Sequence, residues 1–338
     1  MRKQSDLLGL KRDFSVRKSM ALAILSFVVP LLVWSVVSYV PFIWHPYAHI
    51  TNPGGIDSYS ADIDVPYTDF LEQNREATSH GVVPAEGYRT NPVYLPPPHA
   101  VVEALYHAFV TPPRMSNEPW LYESLGHSIK IIFLGFLLSS ALGVPLGILC
   151  GTYRLFSGLF EPFIEFFRYL PAPAFGALCV AVLGIDDGPK IALIFIGTFF
   201  QQVLVIANDV RRIDPALLEA AQTLGASGWQ LVWNVVVPAS VVSIFTDLRI
   251  LLGWAWTYLI VAEVLGTTSG ITYFINQQAR YRGFENVYAA ILTIGMIGFA
   301  TDFLLGLLGR HLFPWQWQTL VSIKRRLWFP VVATGRLS

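Results

Sequence analysis

The chain has 338 residues, a formal net charge of zero, 54% hydrophobic residues and only 14% charged ones. Soluble globular domains carry roughly a quarter charged residues, so a mean hydropathy of +0.50 with so few charges excludes a water-soluble globule. The apolar residues also come in blocks of about 20, the thickness of a bilayer core. Lipid offers no partners to the backbone, so such blocks must be helices.

Taken in chain order, residues 1–19 form a basic head with Arg2, Lys3, Lys11, Arg12, Arg17 and Lys18. The positive-inside rule keeps this head in the cytoplasm. The first span is Met20–Trp44. It is too long for a secretory signal, and bulky Trp34, Tyr39, Phe42 and Trp44 stand where small cleavage-site residues would be. Tyr39, Trp44 and Tyr47 are expected at the outer interface. Residues 45–127 follow on the outer side. Their first part, His45–Leu95, holds Asp57, Asp62, Asp64, Asp69, Glu72, Glu76 and Glu86. It is rich in Pro, Gly and Tyr and lacks a clear period, so a long irregular segment too short for an independent core is expected. After Pro96-Pro97-Pro98, an amphipathic helix over His99–Phe109 would present Val101, Val102, Leu105 and Phe109 on one face, toward the membrane surface or the bundle.

Residues 128–308 contain five more spans: Ser128–Gly151, Leu159–Leu183, Lys190–Asn208, Ala239–Ala262 and Val287–Leu308. Pro162, Pro171 and Pro173 interrupt the third, which is therefore either kinked or broken. Cys150 and Cys179 fall inside spans as packing residues. Six spans place the basic tail, 309–338, with Arg310, Lys324, Arg325, Arg326 and Arg336, on the same side as the head. No G-x-x-x-x-G-K-[ST] run, H-E-x-x-H run or G-x-S-x-G run is present. An energy-driven transporter of this sequence must therefore borrow nucleotide hydrolysis from another chain.

Between the fourth and fifth spans lies a small-residue, partly polar island within 209–238. Asp214 can cap a helix that starts at Pro215, because proline lacks only an N–H that would be orphaned there. Gly225 suits a left-handed stop. Leu217, Ala221 and Leu224 would form an apolar stripe, with Glu219 and Gln222 on another face and Ala220 and Ala221 keeping the helix thin. Ser227 would cap a second short helix through Trp229, Val232 and Trp233. Pro238 then re-enters the membrane. On spacing alone, this island is either a helix lying on lipid or a knob that another protein grips.

Glu219-Ala220-Ala221, three residues, Gly225, nine residues and Val235-x-Val237-Pro238 resemble the cytoplasmic EAA loop of ABC importer permeases. Leu95-Pro-Pro-Pro-His-Ala-Val-Val, Ser124-Leu-Gly-His-Ser, Leu142-Gly-Val-Pro-Leu-Gly-Ile-Leu and Arg168-Tyr-Leu-Pro171 are similar to the nitrate/sulfonate/taurine/bicarbonate-type permeases. So are Leu183-Gly-Ile-Asp-Asp-Gly-Pro-Lys190, Gly253-Trp-Ala-Trp and Val261-Ala-Glu263, over a stretch from about Leu95 to Trp317. The family's second loop proline is replaced here by Val241, and His45–Leu95 is longer than the usual first outer loop.

The resemblance implies an all-α integral membrane protein with six transmembrane helices, a type I ABC importer permease of the bacterial inner membrane, and not an enzyme. Asp214, Pro215, Leu217, Glu219, Ala220, Ala221, Leu224, Gly225 and Pro238 would couple it to an ABC ATPase. Two ATPase copies carrying ATP and Mg, a second permease copy as homodimer and a periplasmic or lipid-anchored solute-binding protein are the implied partners, with lipid around them and no nucleic acid. No cofactor or metal is expected on this chain. Arg249, Trp256 and Glu263 are the candidates for the pathway or a gate: Arg249 for an anionic solute, Glu263 for an outer gate or a partner salt bridge. Snorkelling or an interhelix pair is the competing reading of these charges and of Asp302, and packing the stronger one for Trp254 and Trp256. Glu165 and Arg168 would pair with each other at i, i+3. A secondary transporter would need inverted repeats, and a membrane enzyme clustered acids or histidines; neither pattern is seen. The solute is left among nitrate, bicarbonate, sulfonates, taurine, cyanate and small heterocycles.

Overall fold

The computed structural model describes residues 16–40, 43–112, 119–264 and 269–315. The basic residues of the head up to Arg12, the tail from Lys324 and Phe42 lie outside them. In chain order the elements are α1 (Val16–Tyr39), β1 (Tyr47–Asn52), β2 (Ile63–Pro66), α2 (Tyr67–Ser79), β3 (Glu86–Thr90), α3 (Pro98–Val110), α4 (Leu121–Thr152) and α5 (Arg154–Arg168). Then come α6 (Gly176–Leu183), α7 (Asp187–Arg211), α8 (Pro215–Thr223), α9 (Trp229–Leu231), α10 (Val237–Val264), α11 (Ile271–Arg280) and α12 (Phe284–Leu312). Among the described residues, α1, α4, α7, the continuous run Trp229–Val264 and α12 are long and apolar enough to cross a membrane. The expected third span is α5 followed by Ala172–Leu183, two pieces meeting at 91°. The break falls at Tyr169–Pro171, where a proline cannot continue the helical hydrogen bonds; Pro162 sits within α5 and does not end it.

The chain divides into two compact units, 1–111 with 278–289 and 112–277 with 290–338. In the first, the segment expected to be irregular is a small α/β subdomain. An antiparallel sheet in the order β2-β1-β3 is joined by α2, and Ala48, Ile50, Tyr59, Phe70 and Ala85 bury a core between them. Alternate residues of β1 point inward, as a half-buried strand requires. The period was hidden in the sequence because each strand has only four to six residues. Tyr47 therefore opens a strand, while Trp44 packs on Tyr94. Asn91 donates to Ser38 O (2.7 Å) and Trp34 to Pro96 O (3.1 Å), which fastens the end of α1 to the segment after β3. The buried face of α3 is Val101 and Ala104 with Leu105 beside them, packed with Trp34, Tyr288 and Ala289. Val102 and Phe109 are exposed instead, so the true stripe is rotated from the expected one.

In the second unit, α4 and α7 lie against each other with unusual closeness. Gly135, Ser139, Gly143, Gly147 and Gly151 recur every fourth residue along one side of α4. A Cβ on Gly135 would stand 2.8 Å from Ile194, on Gly147 2.8 Å from Ile206 and on Gly151 2.6 Å from Val210. Small residues let two backbones approach where lipid supplies no hydrophobic drive for association. At the middle of this seam, fully buried Gln202 accepts from Ser139 Oγ (2.9 Å) and donates to Ser140 Oγ (3.2 Å). Cys150 packs beside the seam with Ile164, Val203 and Ala207.

Candidate functional site

The island between α7 and α10 folds as a capped knob. Asp214 Oδ1 accepts from Ala216 N–H at 2.9 Å, and Pro215 occupies the first helical position of α8. At the other end Gly225 adopts φ +90°. Its N–H reaches Gln222 O (2.9 Å), and the Ala226 N–H returns to Ala221 O (3.0 Å). This is the Schellman arrangement, which satisfies carbonyls that the helix end would leave orphaned. No residue of α8 is buried. Leu218 and Ala221 are half-buried, whereas Leu217, Glu219 and Ala220 face outward and Leu224 is 90% exposed. The expected stripe of Leu217, Ala221 and Leu224 is thus split: Ala221 faces the body, and the two leucines project from it. The second short helix is capped by Gly228 at φ +51°, with no side-chain bond from Ser227.

Two features make the knob rigid with the body. Arg211, in the last turn of α7, pairs with Glu161 of α5 and also donates to Ser157 Oγ (3.2 Å) and Cys150 O (3.4 Å). One guanidinium fork thereby joins α4, α5 and α7 directly before the knob. Glu161, not Glu165, is the acidic partner on α5; Arg168 instead lies over the Tyr169 ring. On the return side, Val232–Val236 forms a π turn. Pro238 has no N–H for the carbonyl four residues back and crowds it, and a widened turn relieves both problems. Trp229 and Trp233 stay exposed there.

Arg249 and Trp256, both on α10, line one cleft of about 400 Å³ with α12. Arg249 donates to Asp302 Oδ1 from Nε (3.2 Å) and Nη2 (2.9 Å), and to the Asp302 carbonyl (3.2 Å). The interhelix-pair reading of these two charges is the one observed. Gly306 leaves room for the guanidinium, since a Cβ there would stand 3.1 Å from Nη2.

Glu263 is not in that cleft. It is 3% exposed and caps α11. Its Oε2 accepts from Thr272 N–H (2.8 Å), its Oε1 accepts from Ser128 Oγ, and Ser128 Oγ in turn accepts from Ile271 N–H (2.9 Å). A carboxylate at a helix N-terminus satisfies orphan N–H groups and meets the positive end of the helix dipole. The carboxylate fits because residue 270 is glycine: a Cβ there would lie 2.3 Å from Oε1. Sequence reasoning did not assign this role to Glu263; a glycine just ahead of an unrecognised short helix was the available signal. Nearby, the buried Lys190 Nζ bonds Asp187 (3.1 Å) and His127 Nε2 (3.3 Å), joining α4 to the start of α7. The Gly-Ile-Asp-Asp-Gly-Pro-Lys run therefore supplies an ionic joint around the buried Lys190, with Asp187 and His127 partly exposed.

A family model described as "Binding-protein-dependent transport system inner membrane component" matches residues 143–314. A putative ABC transporter permease of Methanocaldococcus jannaschii is 36% identical over 68% of this chain and 85% of its own length. The taurine transport system permease of Escherichia coli is 32% identical over 67% of this chain and 81% of its own. The nitrate import permease of Leptolyngbya laminosa is 27% identical over 57% and 70%. Among solved structures, an inward-facing methionine ABC transporter superposes with a TM-score of 0.50 at 19% identity, covering 58% of this chain and 99% of that one. That likeness shows the fold, the type I importer permease. The chain belongs to the binding-protein-dependent inner membrane component family and is a multi-pass permease subunit of an ABC importer.

Proposed function

We propose that this permease imports a small anionic solute of the nitrate, bicarbonate, sulfonate or taurine kind, with alternating access driven by a separate ATPase that grips α8. The observation that carries the reading is the knob itself: a doubly capped helix with no buried residue and with Leu217 and Leu224 standing out from the body. Such exposed apolar side chains on an ordered helix suit a groove on a partner. The braced Arg211–Glu161 joint and the α4–α7 seam give the helix a stiff base, so a push on it moves packed helices instead of bending a loop. The names of the relatives favour nitrate or taurine, and the guanidinium in the α10–α12 cleft has the charge to receive a nitrate or a sulfonate group.

In this reading two ATPase copies bind ATP and Mg and draw two α8 knobs together. A second copy of this chain completes the pathway as a homodimer. A periplasmic or lipid-anchored binding protein delivers the solute, and both termini lie in the cytoplasm. Glu219→Lys on the exposed face, or Gly225→Asp at positive φ, should abolish uptake in cells while the permease stays in the membrane. Uptake and stimulated ATPase at the wild-type level with both changes would overturn the coupling role. A single cysteine placed at Ala220 should react with an impermeant maleimide only from the cytoplasmic side.

A further inference from the structure

The Arg249–Asp302 pair separates two hollows. On the side away from α8 lies the cleft of about 400 Å³, with Gly253, Trp256, Gly295, Gly298 and Thr301 on its walls. On the side toward α8 lies a second hollow of about 220 Å³, walled by Phe303, Gly306, Leu307 and Arg310. Arg249, Phe299 and Asp302 belong to both. α10 and α12 run antiparallel here, since Gly309 meets Phe245 and Gly306 meets Arg249. A solute moving along this face toward α8 therefore encounters the ion pair between the two spaces.

We infer that Arg249 and Asp302 form a charge gate in which Asp302 occupies the anion-binding fork of Arg249 until a solute anion displaces it. The inference rests on the anionic-solute reading above. Arginine binds carboxylate, sulfonate or nitrate oxygens through the same planar fork. Two Arg249 nitrogens already hold one Asp302 oxygen, so the carboxylate is an internal stand-in for the solute's oxygens. Asp302 is over half exposed while Arg249 is mostly covered, which makes the carboxylate the partner that swings and the guanidinium the one that stays. Small walls at Gly253, Gly295 and Gly298, where no atom lies within 4 Å of an added Cβ, leave space for a compact anion. Arg310 lies in the wall of the next hollow toward α8.

The test uses the permease with its ATPase and binding protein in proteoliposomes, and labelled methanesulfonate, nitrate and bicarbonate as probes. Arg249→Gln should lower uptake of the transported anion at least about tenfold, the worth of a lost charge-assisted hydrogen bond. Asp302→Asn keeps an acceptor oxygen for the guanidinium but removes its competing charge. It should let the anion leak from loaded vesicles without ATP, so that ATP hydrolysis continues while net uptake falls, whereas Arg249→Gln should not leak. A pair that only holds the helices together predicts no such contrast: the two changes would behave alike, with no leak from Asp302→Asn. Asp302→Asn complexes that assemble to the wild-type level and do not leak, or that leak no more than Arg249→Gln, overturn the gate. If wild-type complex imports none of the three anions, the anionic-solute reading fails and the gate falls with it.

Discussion

At the scale of single residues, Gly270 is constrained twice over. Its φ is +108°, and an added Cβ would stand 2.3 Å from the buried Glu263 carboxylate. Gly270→Ala should destabilise the protein by about 1–3 kcal/mol from backbone strain alone, with the collision adding to it. A lowered thermal midpoint of the purified permease in detergent would show this, and an unchanged midpoint would contradict the cap. Glu263→Gln leaves one acceptor in place, so a buried N–H or hydroxyl loses its partner at a cost of about 1–3 kcal/mol. Neither role was legible from type and spacing. Glu263 looked like an intramembrane charge because α11, the helix that it caps, is short and weakly apolar. Arg249 and Asp302 showed their types and their depth in the chain, but 53 residues separate them, and only the antiparallel approach of two helices makes them one unit.

Single elements divide into those written locally and those that are not. The knob was readable because caps act over a few residues: Asp214, Pro215 and Gly225 satisfy or tolerate backbone states of their immediate neighbours. Asp214→Ala should cost the helix about 1 kcal/mol and reduce uptake in a cell-based assay, with membrane levels near wild type. The α4 stripe carried a local signal too, since small residues recur every fourth position from Gly135 to Gly151. What they pack against could come only from α7. Gly147→Leu would drive a side chain into Ile206, whose nearest atoms lie 2.8 Å from a bare Cβ. Overpacking of this kind costs about 1–3 kcal/mol, and more where no rotamer escapes. The purified variant should elute as a broadened or aggregated species on size exclusion; a sharp wild-type profile would show that the seam can open. α5 and α6 are the intermediate case: the prolines announced an interruption, but whether it was a kink or a 91° break depended on what each half could pack against.

At the scale of the whole molecule, the addition that composition concealed is the α/β subdomain in 47–90. Its core is small, and Phe70 is one of its largest side chains. Removing a buried aromatic ring costs about 3–5 kcal/mol, a large share of what so small a core can supply. Phe70→Ala should therefore open this subdomain and let trypsin cut after Arg75 and Arg89, whose side chains are exposed but whose backbones are held in α2 and β3. Arg89 is otherwise held in strand β3 with its guanidinium 3.8 Å from the centre of the Tyr67 ring. Cleavage no faster than in wild type would mean that the sheet is held by something other than its core.

The amino-acid sequence alone determined that this chain crosses a membrane several times, roughly where its long apolar helices run and where a capped knob interrupts them. Those properties depend on hydrophobic length and on backbone groups a few residues apart. Tertiary structure alone decided which charges meet, which glycines are needed for close approach, and that a segment without visible period folds as a sheet. Those outcomes depend on contacts between residues tens to more than a hundred positions apart, and a one-dimensional pattern carries no record of which distant surfaces will touch.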